Sequence, residues 1–423
     1  MSSNFLQPQT GFRDYYPEDC VVRNHVFGVW HRVLRSYGFV EFDGPMVESV
    51  ELYRKKSGGE LSSQLFNFMD KGGDEITLRP ELTMTTARMV VMKEAQYKKP
   101  IKWYNIGRFF RYERAQRGRR REFYQLNADM IGAEGSVSDA EVLALVIDVF
   151  RAFGLTERDF TVRVSDRRAW SNYLKSLCVK DEFIPDVLQV VDKLERDRPE
   201  ALAERLAHTG VSVEQLREFI ECPPEEHFAE FQAIRNELEL RGLDGYVKLD
   251  PGIVRGLAYY TGLVFEVFDK AQENRALAGG GRYDNLLETV SDGKVNLPAI
   301  GFGLGDVVLT DLLQALSHTK ERLDKVVAES AAVDVYAILA GTERRAEAMA
   351  TIQLLREEGI RVDFPFAPGK IGKQFQAASA LGARAAIVFG QEWPQVTIKN
   401  LATREETSLP VTEIIPALRS ILS

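Results

Sequence analysis

Two predicted strands joined by an arginine-rich loop limit most strongly what this chain can fold into. The first begins as an apolar, aromatic run at Trp103, Tyr104 and Ile106, and the second alternates side-chain character from Phe123 to Met130. Alternation with a period of two predicts a β-strand. The loop is rich in guanidinium groups, which belong to Arg108, Arg111, Arg114, Arg117, Arg119, Arg120 and Arg121. Because guanidinium pairs bidentately with phosphate and stays charged at any working pH, the segment predicts a hairpin whose tip binds an oxyanion.

The second predicted strand has one polar face. This face carries Phe123, Gln125, Asn127 and Asp129, whereas the opposite face is mostly apolar. An aromatic ring, an amide and a carboxylate on one face favour the floor of a ligand pocket. A solvated, charged loop is the alternative interpretation of the arginines by themselves.

The hairpin tip, FRYERAQRGRRREFYQ, resembles motif 2 of the class II aminoacyl-tRNA synthetases, and in particular of the histidyl-tRNA synthetases. The resemblance implies an ATP site. Arg111 would flank the α-phosphate, Glu113 would face the adenine amino group, and Phe123 would stack on the adenine ring. Arg119 and Arg121 would reach the outer phosphates or bound Mg²⁺.

Composition limits the other classes of function. The 423 residues suffice for two or three domains, and no apolar run approaches the ~20 residues of a membrane span. The N-terminal segment lacks the pattern of an export signal, and Cys20, Cys178 and Cys222 have no metal-ligand spacing. These features predict a cytoplasmic protein that does not contact a membrane. Because the net charge is −8, any RNA contact must come from local basic patches.

Two further segments resemble the same family. A predicted helix over 18–37 is followed by a strand interrupted at Pro45, which resembles motif 1 and implies a homodimer interface. The segment LRPELT resembles the loop that closes on the amino acid. By that resemblance Glu81 would hold the ammonium group of histidine, with Leu82 and Thr83 beside it. The alternative is a helix start at which Glu81 and Thr83 act as a first-turn acid and a cap.

The segment RGLAYYTGLVFE resembles a motif found in histidyl-tRNA synthetases and in few other families. By this resemblance Arg255 would steady the α-phosphate and contact histidine, while Tyr259 and Tyr260 would line the imidazole pocket. Imidazole has two ring nitrogens that a carboxylate and a hydroxyl can address together. Asp129, Tyr260 and Gln125 would do so from the floor of the sheet. The chain departs from the family at Ala258, where an acidic residue is usual.

The segment PAIGFGLGDVVLTDLL resembles motif 3, a glycine-rich strand that leads into a helix. Class II enzymes usually place an arginine there against the γ-phosphate of ATP, whereas this chain has Val308. The loop arginines Arg119 and Arg121 are therefore predicted to carry more of that contact. Upstream, the glycine run at Gly279–Gly281 suits a strand that a ligand approaches closely.

The whole pattern predicts an α+β protein: a class II synthetase antiparallel sheet flanked by helices, with a helical insertion and a C-terminal α/β domain that resembles an anticodon-binding domain. The predicted parts are the first part of the catalytic core at 1–166, the helical insertion at 167–240, the second part of the core at 241–318, a linker at 319–331 and the C-terminal domain at 332–423.

The resemblance implies a histidine–tRNA ligase. Such an enzyme activates L-histidine with ATP and Mg²⁺ to histidyl-adenylate, releases pyrophosphate, and transfers the histidyl group to the 3′ end of tRNA(His). One alternative is a non-catalytic paralogue that acts as the regulatory subunit of ATP phosphoribosyltransferase, which Val308 and Ala258 would suit. Another is a class II synthetase for a different amino acid, which RGLAYYTG disfavours. The Mg²⁺ ligands stay open.

Overall fold

The computed structural model describes residues 6–54, 63–114, 118–195, 197–255, 259–271, 275–330 and 333–422. These residues divide into two compact units, with the boundary between Leu323 and Asp324. Ala258, whose departure from the family pattern was noted above, lies outside the described residues. In the part of the chain just defined, no helix is both long and apolar enough to cross a bilayer.

The first unit is built on a mostly antiparallel sheet. Its eight strands follow the order β1-β5-β6-β11-β10-β9-β7-β8, and the pairs β1–β5 and β7–β8 are parallel. A separate three-stranded sheet has the order β2-β4-β3. The strands are β1 Val40–Glu41, β2 Val47–Ser49, β3 Phe66–Met69, β4 Glu75–Leu78, β5 Ile101–Phe110, β6 Glu122–Ile131, β7 Phe160–Asp166, β8 Val247–Leu249, β9 Leu263–Asp269, β10 Ala278–Arg282 and β11 Ala299–Gly305.

Helices cover the sheet and fill the segment between β7 and β8. The helices of the first unit are α1 Pro17–Ser36, α2 Val50–Arg54, α3 Thr83–Lys93, α4 Gly135–Arg151, α5 Arg167–Ser176, α6 Ile184–Val191, α7 Pro199–Leu206, α8 Val213–Glu221, α9 Ala229–Glu239, α10 Leu286–Val290 and α11 Asp306–Ala315, and α12 Ser317–Glu329 spans the boundary between the units. From α5 to α9 the described residues contain no strand, which agrees with a helical insertion. The predicted domain boundaries themselves stay predictions.

The β5–β6 hairpin divides the first unit into a core side and a cavity side. Leu126, Ala128 and Met130 of β6 join the main apolar core, which also takes most of the buried α4. The loop of the hairpin is shorter than the sequence predicts, because β5 continues to Phe110 and so contains Arg108. Its Nε donates to the Tyr124 hydroxyl across the hairpin at 2.7 Å. Because Leu126, Ala128 and Met130 face the core, the residues of β6 that alternate with them face away from it, as the sequence pattern predicts.

The second unit has the predicted mixed sheet. Its strand order is β13-β12-β14-β15-β16, in which β12 pairs in parallel with both β13 and β14 while the remaining pairs are antiparallel. Its elements are β12 Val335–Leu339, α13 Arg345–Glu357, β13 Val362–Asp363, α14 Ile371–Ala380, β14 Ala385–Phe389, β15 Gln395–Asn400, β16 Glu406–Pro410 and α15 Ile414–Leu422. Near the start of α14, Lys370 and Lys373 are exposed, and Phe366 is 82% exposed.

Candidate active site

A cavity of about 610 Å³ opens on the sheet face opposite α4. Arg111 and Arg255 both line it, although they come from different parts of the chain. Four further residues of the predicted ATP and histidine sites line it: Glu113, Arg119, Phe123 and Gln125. The two guanidinium groups assigned to the α-phosphate therefore share one cleft.

Arg111 is placed by the hairpin and by the LRPELT loop. Its backbone N–H donates to the Arg121 carbonyl at 2.9 Å, which closes the end of the hairpin. Its Nε donates to the Pro80 carbonyl at 2.9 Å, and its guanidinium carbon lies 5.3 Å from the centre of the Phe123 ring. Burial lowers the pKa of Arg111, but a guanidinium stays charged at neutral pH. A cation is thus held beside the ring that would stack on adenine.

Arg255 has an unusual backbone conformation, with φ at +54°. Left-handed backbone at a residue that is not glycine costs about 1–3 kcal/mol and is concentrated at functional sites. The guanidinium pairs with Glu266 of β9 at 2.6 Å. It also lies over Gly279, where a Cβ would come 1.8 Å from Nη1. The glycine run therefore leaves room for a side chain of the protein itself, in addition to any ligand.

The loop at the hairpin tip holds the remaining predicted phosphate ligands. Arg119 lines the cavity and pairs with Glu113 at 2.9 Å. Arg121 is not among the residues that line the cavity. Its Nε donates to the Glu113 carbonyl at 3.1 Å, and its guanidinium carbon lies 4.3 Å from the centre of the Tyr112 ring. Arg120, which the sequence did not single out as a ligand, does line the cavity.

Val308 occupies the cavity wall at the place where the resemblance to motif 3 leads one to expect arginine. It lies in the first turn of α11, and its Cγ2 would be 3.4 Å from a Cβ built on Gly118. Gly118 has φ at +72°, a conformation that favours glycine. The arginine-rich loop therefore packs against the apolar residue that replaces the usual cation.

The LRPELT loop supports part of the alternative interpretation, because Glu81 accepts hydrogen bonds at the helix start. Glu81 precedes the first turn, however, and Thr83 is the first helical residue and not the cap. The ligand role of Glu81 stays a prediction. The Glu81 carboxylate accepts from the backbone N–H groups of Thr83 and Met84 at 2.7 and 3.1 Å, at the start of α3. Burial raises the pKa of Glu81, and hydrogen bonds from Thr83 oppose the shift. Leu82 is fully buried, and its carbonyl accepts from the Thr86 N–H at 2.8 Å. Thr83 is half-buried at the first position of the helix.

Asp129 lies deep in the same face of the sheet and is 4% exposed. The hydroxyl of Tyr283 donates to its Oδ1. On the neighbouring strand β11, a Cβ at Gly301 would come 2.1 Å from that oxygen, so only glycine leaves space for the carboxylate. Burial raises the pKa of Asp129 to about 7, while the hydrogen bond from Tyr283 lowers it.

The two predicted imidazole-pocket tyrosines lie beside Tyr283, the residue that contacts this carboxylate. The rings of Tyr259 and Tyr260 are 4.9 Å apart, and Tyr259 meets the edge of Tyr283 at 5.8 Å. Burial raises the pKa of both Tyr259 and Tyr260, so both phenols are neutral at pH 7. The carboxylate of Glu81 contributes to the raised pKa of Tyr259, and Tyr259 in turn acts to raise the pKa of Arg111. Glu81, Asp129, Tyr259 and Tyr260 therefore lie in one cluster that includes Tyr283. Of the predicted histidine-binding residues, Gln125 and Arg255 line the arginine-lined cavity and the others do not.

Comparison with known proteins assigns the family. The family model described as Histidyl-tRNA synthetase matches residues 11–307, and the one described as Anticodon binding domain matches residues 334–421. The chain belongs to the histidyl-tRNA synthetase family. A protein of Opitutus terrae named Histidine--tRNA ligase is 39% identical over 441 residues, which cover 99% of each chain. Its namesake from Leptospira biflexa is 36% identical over 433 residues, or 98% of this chain and 97% of that protein.

A solved structure agrees with the family assignment. Apo S. aureus histidyl-tRNA synthetase is similar to this chain with a TM-score of 0.75 at 27% identity, and the match covers 99% of each chain. The predicted family, the fold class and the prediction of an aminoacyl-tRNA synthetase are confirmed. Membership of this class II family implies ATP as a substrate, and the matched anticodon-binding domain supports tRNA as a partner.

Several residues of this synthetase site were not predicted from the sequence. Glu266, Arg120 and Arg275 line the cavity, and Tyr283 holds Asp129. A partial signal existed for Glu266, because it is a charged residue in the middle of β9, where its neighbours from Leu263 to Phe268 are apolar. For Tyr283 the sequence shows a phenol two residues after the glycine run, but it gives no indication of its partner.

The carboxylates in the described cavity lining are those of Glu113 and Glu266. Elsewhere too, among residues whose positions are described, no group of three or more His, Cys, Asp or Glu side chains is arranged to hold a metal ion. Mg²⁺ is usually held by one or two carboxylates together with substrate phosphates and water. These two carboxylates therefore fit a Mg²⁺ that arrives with ATP better than a permanently bound metal.

Proposed function

We propose that this chain is a histidine–tRNA ligase whose adenylation site is the arginine-lined cavity. The observation that carries the proposal is that Arg111 and Arg255 line one cavity, beside a cluster in which Asp129, Tyr259 and Tyr260 lie together. The first group suits a triphosphate and the second suits an imidazole. The two substrates of histidine activation would thus lie side by side.

In the proposed first step, a carboxylate oxygen of histidine attacks the α-phosphorus of ATP. The bond from that phosphorus to the bridging oxygen breaks, and pyrophosphate leaves with its electron pair. A carboxylate is already a nucleophile at neutral pH, so the protein has little acid–base work to do. Arg111 and Arg255 would neutralise the charge that builds on the α-phosphate, while Phe123 and Glu113 hold the adenine. Glu81 would hold the ammonium group, with Leu82 and Thr83 forming the loop beside it.

Mg²⁺, when bound, would neutralise the outer phosphates and polarise the leaving group. Glu266 is the residue that would hold it, since Glu113 is assigned to the adenine. In the second proposed step, a ribose hydroxyl at the 3′ end of tRNA(His) attacks the carbonyl carbon of histidyl-adenylate. The bond from the carbonyl carbon to the phosphate oxygen breaks, AMP leaves with that electron pair, the hydroxyl proton is released, and the histidyl ester remains on the tRNA. Both steps draw on fixed cations instead of a nucleophilic side chain.

A regulatory subunit of ATP phosphoribosyltransferase is the second candidate, and Val308 is the observation that favours it. A chain without catalysis would have no need for a cation at that wall of the cavity. However, the cavity retains Arg111, Arg255 and Arg119, and residues 334–421 match an anticodon-binding domain. These features support the ligase.

Exchange of ATP with labelled pyrophosphate tests the proposal. We expect exchange that depends on histidine and is absent with proline, threonine or glycine. Exchange with a different amino acid would assign another class II specificity. Absence of exchange with every amino acid would favour the regulatory candidate.

The loss of the motif 3 arginine leads to a prediction about the hairpin tip. We expect Arg119→Ala to raise the KM for ATP roughly 10-fold or more, because a hydrogen bond to a charged group contributes about 1.5–3 kcal/mol. Arg121→Ala should raise it less, since Arg121 acts on the loop through the Glu113 carbonyl. Steady-state exchange kinetics give the KM.

Arg114→Ala is the matched control for these two variants. Arg114 belongs to the same loop, is exposed and is not among the residues that line the cavity. Its replacement should leave the KM for ATP within about twofold. If neither Arg119→Ala nor Arg121→Ala changes the apparent ATP affinity, the loop does not compensate for Val308.

We also propose a cytoplasmic homodimer with tRNA as its macromolecular partner. Exposed apolar side chains in the strand part of the predicted motif 1 support the dimer: Val40 is 63% exposed and Val47 41%. Large apolar groups that stay exposed in one chain often mark an interface. Sedimentation equilibrium of the purified protein would disprove the dimer if it gave the mass of a single chain at micromolar concentration.

A further inference from the structure

Tyr283 lies where the carboxylate of Asp129 can be held from one side. It follows β10 directly, and its backbone N–H donates to the Ala299 carbonyl at 2.8 Å. The side chain reaches past β11 to β6, where its hydroxyl donates to Oδ1 of Asp129. Tyr283 is 3% exposed and Asp129 is 4% exposed, so this contact is away from bulk water.

The two oxygens of Asp129 differ in their surroundings. Oδ1 accepts from Tyr283 and also lies against Gly301, whose lack of a Cβ leaves room for this oxygen. A carboxylate that is fixed through one oxygen cannot rotate freely, so the other oxygen points in one direction. That second oxygen, Oδ2, is then the one available to a ligand.

We propose that Tyr283 is a positioning residue for the imidazole site, and that by engaging Oδ1 it directs Oδ2 of Asp129 to accept the N–H of the histidine ring. This inference rests on the proposed function, which places the imidazole beside Asp129. Tyr283 itself does not contact the ring in this arrangement. Its effect on histidine passes through the carboxylate.

The electrostatic surroundings give Tyr283 a second effect. Burial raises the pKa of Asp129 to about 7, the nearby carboxylate of Glu81 raises it as well, and the Tyr283 hydrogen bond opposes both. Tyr259 and Tyr260 face Tyr283 from the neighbouring loop, and both are neutral at pH 7. An acid is ionised above its pKa. Removing the hydroxyl of Tyr283 should therefore raise the pKa of Asp129 and leave less carboxylate at pH 7.

The experiment compares the wild-type protein with Tyr283→Phe, which keeps the ring and removes the hydroxyl. We expect the KM for histidine in pyrophosphate exchange to rise about 10-fold at pH 7, the size of effect of losing a hydrogen bond to a charged group. Between pH 6 and pH 9 the acid side of the profile of kcat/KM for histidine should move to higher pH. The KM for ATP should stay within about twofold. The titration of the histidine substrate is common to both proteins and cancels in the comparison.

Tyr37→Phe is the matched control, because the Tyr37 hydroxyl donates to Oδ2 of Asp148 at 2.6 Å outside the site. It removes the same kind of bond and should leave the histidine profile unchanged. A Tyr283→Phe profile that coincides with that of wild type overturns the inference. Asp129→Asn distinguishes failure of the proposed imidazole site from failure of the role of Tyr283. Normal histidine binding in Asp129→Asn overturns the proposed site itself. Weakened binding in Asp129→Asn, together with an unchanged Tyr283→Phe profile, overturns the role of Tyr283 alone.

Discussion

Replacing Arg255 with alanine should lower kcat for histidine-dependent pyrophosphate exchange by about 10²–10³-fold. Removing one preorganised donor to a developing oxyanion usually has an effect of this size. Here the loss is larger than that of a cation alone, because Glu266 would be left without its partner at 2.6 Å and would face the phosphates. We expect kcat to fall more than the KM for ATP rises, since charge on the α-phosphate is greatest in the transition state.

The chain offers a close control for the backbone effect of this substitution. Arg404 in the second unit is also an arginine with positive φ, at +67°, and it is exposed. Arg404→Ala should leave pyrophosphate exchange unchanged, because that reaction needs no tRNA. If Arg255→Ala exchanges within about threefold of wild type, the proposed role of Arg255 is wrong even though it lines the cavity beside Arg111.

The parts of the site that lie on one hairpin could be predicted from the sequence. Alternation along β6 places Phe123, Gln125 and Asp129 on one face, because strand geometry repeats every two residues. Arg111 lies beside Phe123 for the same local reason, since both flank the turn of the hairpin. Beyond the end of the strand the repeat of two residues no longer applies. Arg121 lies just outside β6, and its side chain packs on Tyr112 instead of lining the cavity.

Contacts between distant segments could not be predicted in the same way. The Tyr283 hydroxyl meets Asp129 across 154 positions of sequence, and the contact depends on β11 lying between β6 and β10. Nothing in the local pattern specifies that strand order. The position of Arg255 over Gly279 likewise depends on a loop meeting a strand. Family resemblance supplied Arg255, but its pairing with Glu266 needed the structure.

Asp129→Ala should remove both the rate and the selectivity of histidine activation. A site built to hydrogen-bond a substrate rejects analogues that lack the matching group by a factor on the order of 10⁴. The variant loses the ring acceptor and leaves the buried Tyr283 hydroxyl without its partner. We expect kcat/KM for histidine to approach that for 3-(2-thienyl)alanine, whose ring has a similar shape but no N–H. Pyrophosphate exchange with each amino acid gives the ratio.

Asp129→Asn shows whether charge or shape is responsible. Its amide fits beside Gly301, but it offers one acceptor oxygen where the carboxylate offers two. The variant therefore keeps the shape and loses both the charge and one acceptor. Because burial raises the pKa of Asp129 to about 7, wild type at pH 6 should already behave partly like this variant. The difference between the two proteins should therefore grow from pH 6 to pH 8, as the wild-type carboxyl ionises. If Asp129→Ala keeps the selectivity of wild type for histidine over thienylalanine, another residue recognises the ring, and the imidazole lies elsewhere in the cleft.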